Sequence, residues 1–179
     1  TFDYRGFGDS GGDERQVLSI HRQLEDVSAA IAFARSIEGV NPARVGLWGS
    51  SFGGGMTLET VSEDHSLTCA IAQVPFADGP SMLGAVPPAN AARLTAKAVA
   101  DIRARRSGDK RVMIPAAGPP GTLAAMTSAD ALPGFEAIKP EGSRHQNLVA
   151  AAIAIEALAW RPGAKASKIE CPLLVQVAT

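Results

Sequence analysis

Apolar residues recur at three- and four-residue spacing over Val17, Ile20, Leu24, Val27, Ile31 and Ala34, the interval that gathers one face of a helix. Gly39 closes that helix, and Asn41-Pro42 turns the chain into a short β-rich run, Arg44–Trp48. A second helical run starts near Met56, and Leu67–Val74 then reads as a buried strand stopped by Pro75. Thr1–Tyr4 has the character of a strand's tail. Strand and helix thus alternate as βαβ units of a parallel sheet would, which predicts an α/β fold. From Phe76 to Arg144 the pattern changes. Pro87-Pro88, Pro115, Gly118-Pro119-Pro120-Gly121, Pro133-Gly134 and Pro140 punctuate an alanine-rich stretch. Within it Ala89–Arg105 predicts a helix, Arg111–Ile114 a strand and Ser128–Ile138 a short helix. Helical spacing resumes over Asn147–Trp160, Pro162-Gly163 breaks it, and Leu173–Val177 predicts the last strand. The expected organisation is a core over 1–75, a cap folded over the sheet at 76–144, and a return to the core at 145–179.

The chemistry concentrates between the Arg44–Trp48 strand and the helix that follows it. Gly49-Ser50-Ser51-Phe52-Gly53 reads G-x-S-x-G. In that context the serine sits on a tight strand-to-helix turn with its hydroxyl raised, and the glycines stand where a Cβ would collide. The helix N-terminus brings N–H groups and a positive dipole end to any oxyanion formed there. Ser51 is the expected nucleophile and the Phe52 backbone N–H one oxyanion donor, while the Phe52 ring is expected to pack. Ser50 competes, but it lacks a glycine two residues away on either side.

A second motif, Gly6-Phe7-Gly8-Asp9-Ser10-Gly11, matches the G-x-G-x-x-G dinucleotide fingerprint. The fingerprint needs its glycines to open directly onto a helix, with an acid at the end of a strand some 20 residues on. Here the helical pattern begins only near Val17, and Asp9, Asp13 and Glu14 would repel a phosphate. No cofactor is expected. Three histidines could serve a serine nucleophile: His21 on the first helix, His65 in a polar turn, and His145 where the cap rejoins the core. All three read as surface or packing residues. Asp78 and Asp130 lack supporting context, and no metal-ligand spacing is present.

Composition narrows the partners. The chain has 179 residues, is 46% hydrophobic and carries a net charge of −1, which suits one domain with a real core and no basic field for nucleic acid. The Arg103–Arg111 cluster alternates with acids and reads as a solvated helix end. A small, largely apolar molecule is the expected partner. Cys69 and Cys171 each adjoin an apolar strand run; buried, reduced thiols are expected, with a disulfide left open. The setting expected is the cytoplasm. The longest apolar stretch, Leu148–Ile155, is too short to span a bilayer. Both termini fall on strand-like runs, so the chain reads as an internal piece of a longer protein.

Three stretches carry a family resemblance: Thr1–Gly12 (TFDYRGFGDSGG), Arg44–Gly55 (RVGLWGSSFGGG) and Cys171–Val175 (CPLLV). Together they resemble the α/β-hydrolase superfamily, in the flavour of dienelactone hydrolases and X-Pro dipeptidyl-peptidase-like esterases. The resemblance implies that Thr1–Tyr4 ends strand four, and that Arg44–Trp48, Leu67–Val74 and Leu173–Val177 are strands five, six and seven. It places the acid after strand seven and the histidine after strand eight, both beyond Thr179, and the second oxyanion donor before Thr1. His145 breaks the implied order of serine, acid, histidine. The implied activity is a serine hydrolase cleaving an ester, less readily an amide or thioester. The alternative is a non-catalytic binding protein that keeps the elbow as a turn. The resemblance also implies that strand three is missing between strands four and five. Strand five then has an open edge, and the isolated 179 residues are expected to be poorly soluble or partly folded.

Overall fold

The computed structural model describes residues 1–178, Ala85 by its backbone alone. In chain order its elements are α1 (Ile20–Ser36), β1 (Gly46–Ser50), α2 (Phe52–Val61), β2 (Cys69–Gln73), a 3-10 turn (Pro80–Ala85), α3 (Pro88–Ser107), β3 (Met113–Ile114), α4 (Ala131–Ile138), β4 (Val149–Ala150), α5 (Ile153–Ala159), a second 3-10 turn (Pro162–Lys168) and β5 (Leu173–Gln176). Two compact units divide the chain, one of Thr1–Ser19 with Met82–Leu158, the other of Ile20–Ser81 with Ala159–Thr179. The expected limits at 75/76 and 144/145 are not the limits of these units.

The second unit holds a parallel sheet in the order β1-β2-β5, with Trp48 opposite Ile71 and Ile71 opposite Leu174. Helix α2 packs on β1 and β2 and is buried from Gly54 to Val61. Helix α1 in turn packs on α2. Its buried positions, Gln23, Val27 and Ile31, lie one helical turn apart; Val27 and Ile31 belong to the predicted stripe, Ile20, Leu24 and Ala34 are only half-buried, and Val17 lies before the helix. Parallel sheets bury both faces when helices cover them. Trp48 and Leu174, in register across the sheet, nonetheless stay 58% and 53% exposed. The fold is α/β with a parallel sheet flanked by helices, as the alternation of strand and helix required.

The first unit is organised around a carboxylate. Asp101, in α3, is fully buried. It takes a bidentate bond from Arg111 (2.8 and 2.7 Å) and backbone N–H bonds from Val112 (2.9 Å) and Ala152 (3.0 Å). Arg111 also donates to Glu14 at 3.0 Å. Burial pushes the Asp101 carboxyl up, but Arg111 and the two amides outweigh it and hold the group below its ordinary value. Arg111 is therefore not part of a solvated helix end, although Arg103, Arg105 and Arg106 are exposed as expected.

Other expectations also need correcting. Thr1–Tyr4 forms no strand, because a strand needs a hydrogen-bonded neighbour and none is present among the described residues. Its polar groups tie down the glycine-rich loop instead. Asp3 accepts from the Asp9 N–H (2.9 Å) and the Ser10 hydroxyl (2.6 Å), while Arg15 caps the carbonyls of Ser10 and Gly8. The loop closes on itself through Gly6 N–H to Gly11 O (2.8 Å) and does not lead into a helix N-terminus. The helix expected over Asn147–Trp160 starts only at Ile153, since Val149 and Ala150 pair antiparallel with Ile114 and Met113. Both cysteines are free thiols, and Cys69 is exposed, not buried. No helix among the described residues is long and apolar enough to cross a membrane.

Candidate active site

Ser51 occupies the turn between β1 and α2, exposed, with φ 53° and ψ −118°. A positive φ is costly for a residue with a Cβ, about 1–3 kcal/mol, and persists only where the surroundings over-determine it. Two segments do so. The Ser51 N–H donates to Gln73 O at 2.9 Å. The Ser51 carbonyl accepts from the N–H groups of Gly55 (3.1 Å) and Phe76 (2.8 Å). The turn after β2 that supplies the Phe76 N–H carries its own strain, with Val74 at φ 40°. Ser50 ends β1 with no such backbone signature, which separates it from its neighbour.

The Ser51 side chain makes no capping bond to α2, so its hydroxyl is not committed to the helix. Phe52 is the first residue of α2, where N–H groups have no acceptor within the helix. Its donor and the Ser51 hydroxyl therefore share one helix N-terminus, with the dipole oriented to favour negative charge.

The glycines of the motif prove unequal. A Cβ on Gly49 would lie 2.1 Å from Gly53 O and 2.5 Å from Thr57 Oγ1, so β1 and α2 can approach this closely only with glycine there. A Cβ on Gly53 would meet no heavy atom of the described residues within 4 Å. Outside the pentapeptide two more glycines are required: a Cβ on Gly54 would lie 2.9 Å from Pro75 Cα, and one on Gly55 would lie 2.6 Å from both Phe76 O and Trp160 Cη2.

That last contact exposes residues the sequence did not nominate. Trp160 lies along α2, its ring 4.8 Å from that of Phe52 and stacked at 5.5 Å and 14° on Phe76, with Phe52 and Phe76 5.4 Å apart. Its indole N–H donates to Glu59 Oε2 at 3.3 Å. Lys165 binds the other Glu59 oxygen and reaches Glu63 at 2.6 Å; these carboxylates, Glu59 first, raise its pKa. The expected packing role of the Phe52 ring is thereby seen. The triple glycine at 53–55 was the available signal for Trp160, since a third small residue on a helix marks a close approach.

None of the three histidines is placed as a partner of Ser51. His21 is exposed on α1 and pairs with Glu25 at 3.3 Å. His65 lies in the α2–β2 turn, at the N-terminal edge of the parallel strands, whereas Ser51 follows their C-terminal edge. A five-residue strand separates those edges by about 16 Å. Glu170, bonded to His65 Nδ1 at 3.0 Å, raises its pKa above the ordinary 6.5 and favours the imidazolium, a poor base. His145 belongs to the other unit and stacks on Phe135 at 5.7 Å. Asp78 is held below its ordinary pKa by Ser81 first and then Arg161, and Asp130 by Ser128.

Comparison with known proteins shows the family. The family model for serine aminopeptidase, S33, matches residues 1–130. The chain is 45% identical over 174 residues to the quorum-quenching protein AidA of Acinetobacter baumannii (strain MDR-ZJ06), covering 97% of this chain and 57% of that protein. It is 28% identical over 179 residues to an uncharacterized 31.7 kDa protein of the traX-finO intergenic region of Escherichia coli, covering 99% and 60%. The crystal structure of the α/β hydrolase GrgF from Penicillium sp. sh18 superposes with a TM-score of 0.77 at 24% identity, over 97% of this chain and 58% of that one. The chain thus spans somewhat under two thirds of each of these proteins. An exposed serine on a strained strand-to-helix turn, a helix N-terminus at its back and a family match over its first 130 residues converge, and the chain belongs to the serine aminopeptidase S33 family of the α/β-hydrolase superfamily.

Proposed function

We propose that the full-length protein is a serine hydrolase that cleaves an ester, less readily an amide or thioester, through an acyl-enzyme on Ser51. The observation that carries this reading is the backbone of Ser51: strained, exposed, and pinned from two sides at the start of α2. A base takes the Ser51 hydroxyl proton as Oγ bonds to the carbonyl carbon. The resulting oxyanion lies against the Phe52 N–H and a second donor. Collapse expels the alcohol, which leaves with the proton, and water then releases the acid from Oγ. The resemblance assigns the acid to the segment after β5 and the histidine to one beyond it. In this reading the substrate is small with an apolar acyl part, no cofactor takes part, neither nucleic acid nor membrane is a partner, and the setting is the cytoplasm. Residues 76–144 supply the cap, and the closest flavour is that of the dienelactone hydrolases and X-Pro-peptidase-like esterases.

The test uses the full-length protein. A fluorophosphonate is expected to label Ser51, and Ser51→Ala to abolish labelling and lower ester turnover by at least about a thousandfold. Undiminished turnover in that variant would remove Ser51 from the mechanism and favour a binding protein that keeps the elbow only as a turn.

A further inference from the structure

The peptide unit joining Ser51 to Phe52 has two ends that matter in different ways. Its N–H is the oxyanion donor of the proposed reaction, and its C=O accepts from Phe76 N–H at 2.8 Å and Gly55 N–H at 3.1 Å. A peptide is planar and trans, so fixing the carbonyl direction fixes the N–H direction opposite to it. Whatever holds Phe76 in place therefore aims the donor.

Phe76 is held by rings. It stacks on Trp160 at 5.5 Å and 14°, and both rings touch Phe52. Trp160 is 8% exposed and is fixed in three ways. Its ring rests on Gly55, where no Cβ would fit. Its carbonyl accepts from Gly79 N–H at 2.8 Å, and its indole N–H donates to Glu59. Glu59 lies on the same face of α2 as Phe52 and Gly55, at helical spacings of three and four. Its two oxygens are divided, one to Trp160 and the other to Lys165. A charge this buried persists only with such partners. A chain of contacts thus runs from Lys165 through Glu59, Trp160 and Phe76 to the Ser51–Phe52 peptide.

We propose that Glu59 is a positioning residue of the elbow: by holding Trp160 against Phe76 and Gly55, it sets the direction of the Phe52 N–H. The inference rests on Ser51 being the nucleophile. It adds that a carboxylate two turns along α2, touching no reacting atom, controls transition-state stabilisation more than substrate binding. A Gln at 59 has one oxygen where two are needed, so either the indole or the ammonium is released. A Phe at 160 keeps the ring and loses the N–H.

The experiment compares Glu59→Gln, Trp160→Phe and Lys165→Met with the unaltered full-length protein. It uses a p-nitrophenyl ester as substrate and a trifluoromethyl ketone, whose hemiketal oxyanion reads the donor directly. Glu59→Gln and Trp160→Phe are expected to lower kcat about tenfold to hundredfold, because a misaimed donor loses part of what a deleted one loses. KM should stay within about twofold, and ketone affinity should fall by the same factor as kcat/KM. Lys165→Met, at the exposed end of the chain of contacts, should give the same pattern at about threefold. It decides the matter if the other two do not fold. A lower melting temperature with kcat and ketone affinity unchanged in the folded variants would overturn the proposal and leave Glu59 a structural residue. The nucleophile reading fails separately, through a Ser51→Ala variant that stays active.

Discussion

The two units each bury a carboxylate beside a cation, and the two carboxylates do different work. Asp101 receives four hydrogen bonds, two from the Arg111 fork and two from backbone amides at 112 and 152. It joins segments far apart in sequence and shows none of its surface to solvent. Glu59 receives bonds only from side chains, an indole and an ammonium that is itself one-third exposed. The first is a node on which backbone segments converge, so losing it frees the chain. The second holds Trp160, whose ring packs on Phe52 beside Ser51, and in the proposed reading losing it disturbs the aim of the Phe52 N–H before it disturbs folding.

The largest expected effect lies on the structural side. Asp101→Asn leaves Arg111 with only the part-exposed Glu14 as counter-charge and turns an amide N–H₂ toward other donors, a loss of about 3 kcal/mol. Thermal or urea unfolding measures it, and kcat per folded molecule should stay within about twofold. A variant of normal stability with depressed kcat would reverse the comparison. On the elbow side the counterpart is steric. Gly49→Ala forces a Cβ into the Gly53 carbonyl and should cost about 3 kcal/mol or more, together with most of the activity. Gly53→Ala should leave melting unchanged or raise it slightly, since alanine favours a helix by about 0.5–1 kcal/mol over glycine. Equal damage from both would show that the turn is not built as described.

The smallest effect is acid sensitivity. The Asp101 carboxyl titrates below its ordinary 3.8 in the folded protein. The stabilisation it gives is therefore complete above that value and is lost as pH falls through the lower, folded value. Unfolding monitored against pH should steepen below 3.8, and Asp101→Asn should flatten that limb. His65 runs the other way. Its pKa is raised, so its contribution is present below 6.5 and fades as pH rises through the folded value.

Elements with a regular period were legible in the chain. The first helix, the α2 elbow and the strands around Leu47, Ile71 and Leu174 all appear near where spacing and punctuation placed them, the strand limits moved by a residue or two and the helix starts by three or four. The misplacements share a physical cause. Thr1–Tyr4 and Val149–Ala150 are decided by whether a partner strand is at hand, which periodicity does not encode. Arg111 looked like one more solvated base because its acid lies ten residues back along a helix, at no spacing that signals a pair. Ser51 was legible because a backbone constraint leaves its mark as glycine. Trp160 and Glu59 were not, because stacking between residues a hundred positions apart leaves none beyond the third glycine of the run.

Two of the three bonds that hold the Ser51 turn come from Gln73 and Phe76, at the end of β2 and just beyond it. A ribosome that has released only β1 and α2 has released a serine held by the Gly55 N–H alone, an ordinary helical bond that does not by itself enforce a strained backbone. The turn is assembled when β2 docks beside β1 and the chain at Val74 bends back on itself. Peptides covering residues 44–61 alone should therefore relax Ser51 to an ordinary helical or extended conformation. The order in which the chain emerges thus delays the strained Ser51 geometry until a sheet exists behind it.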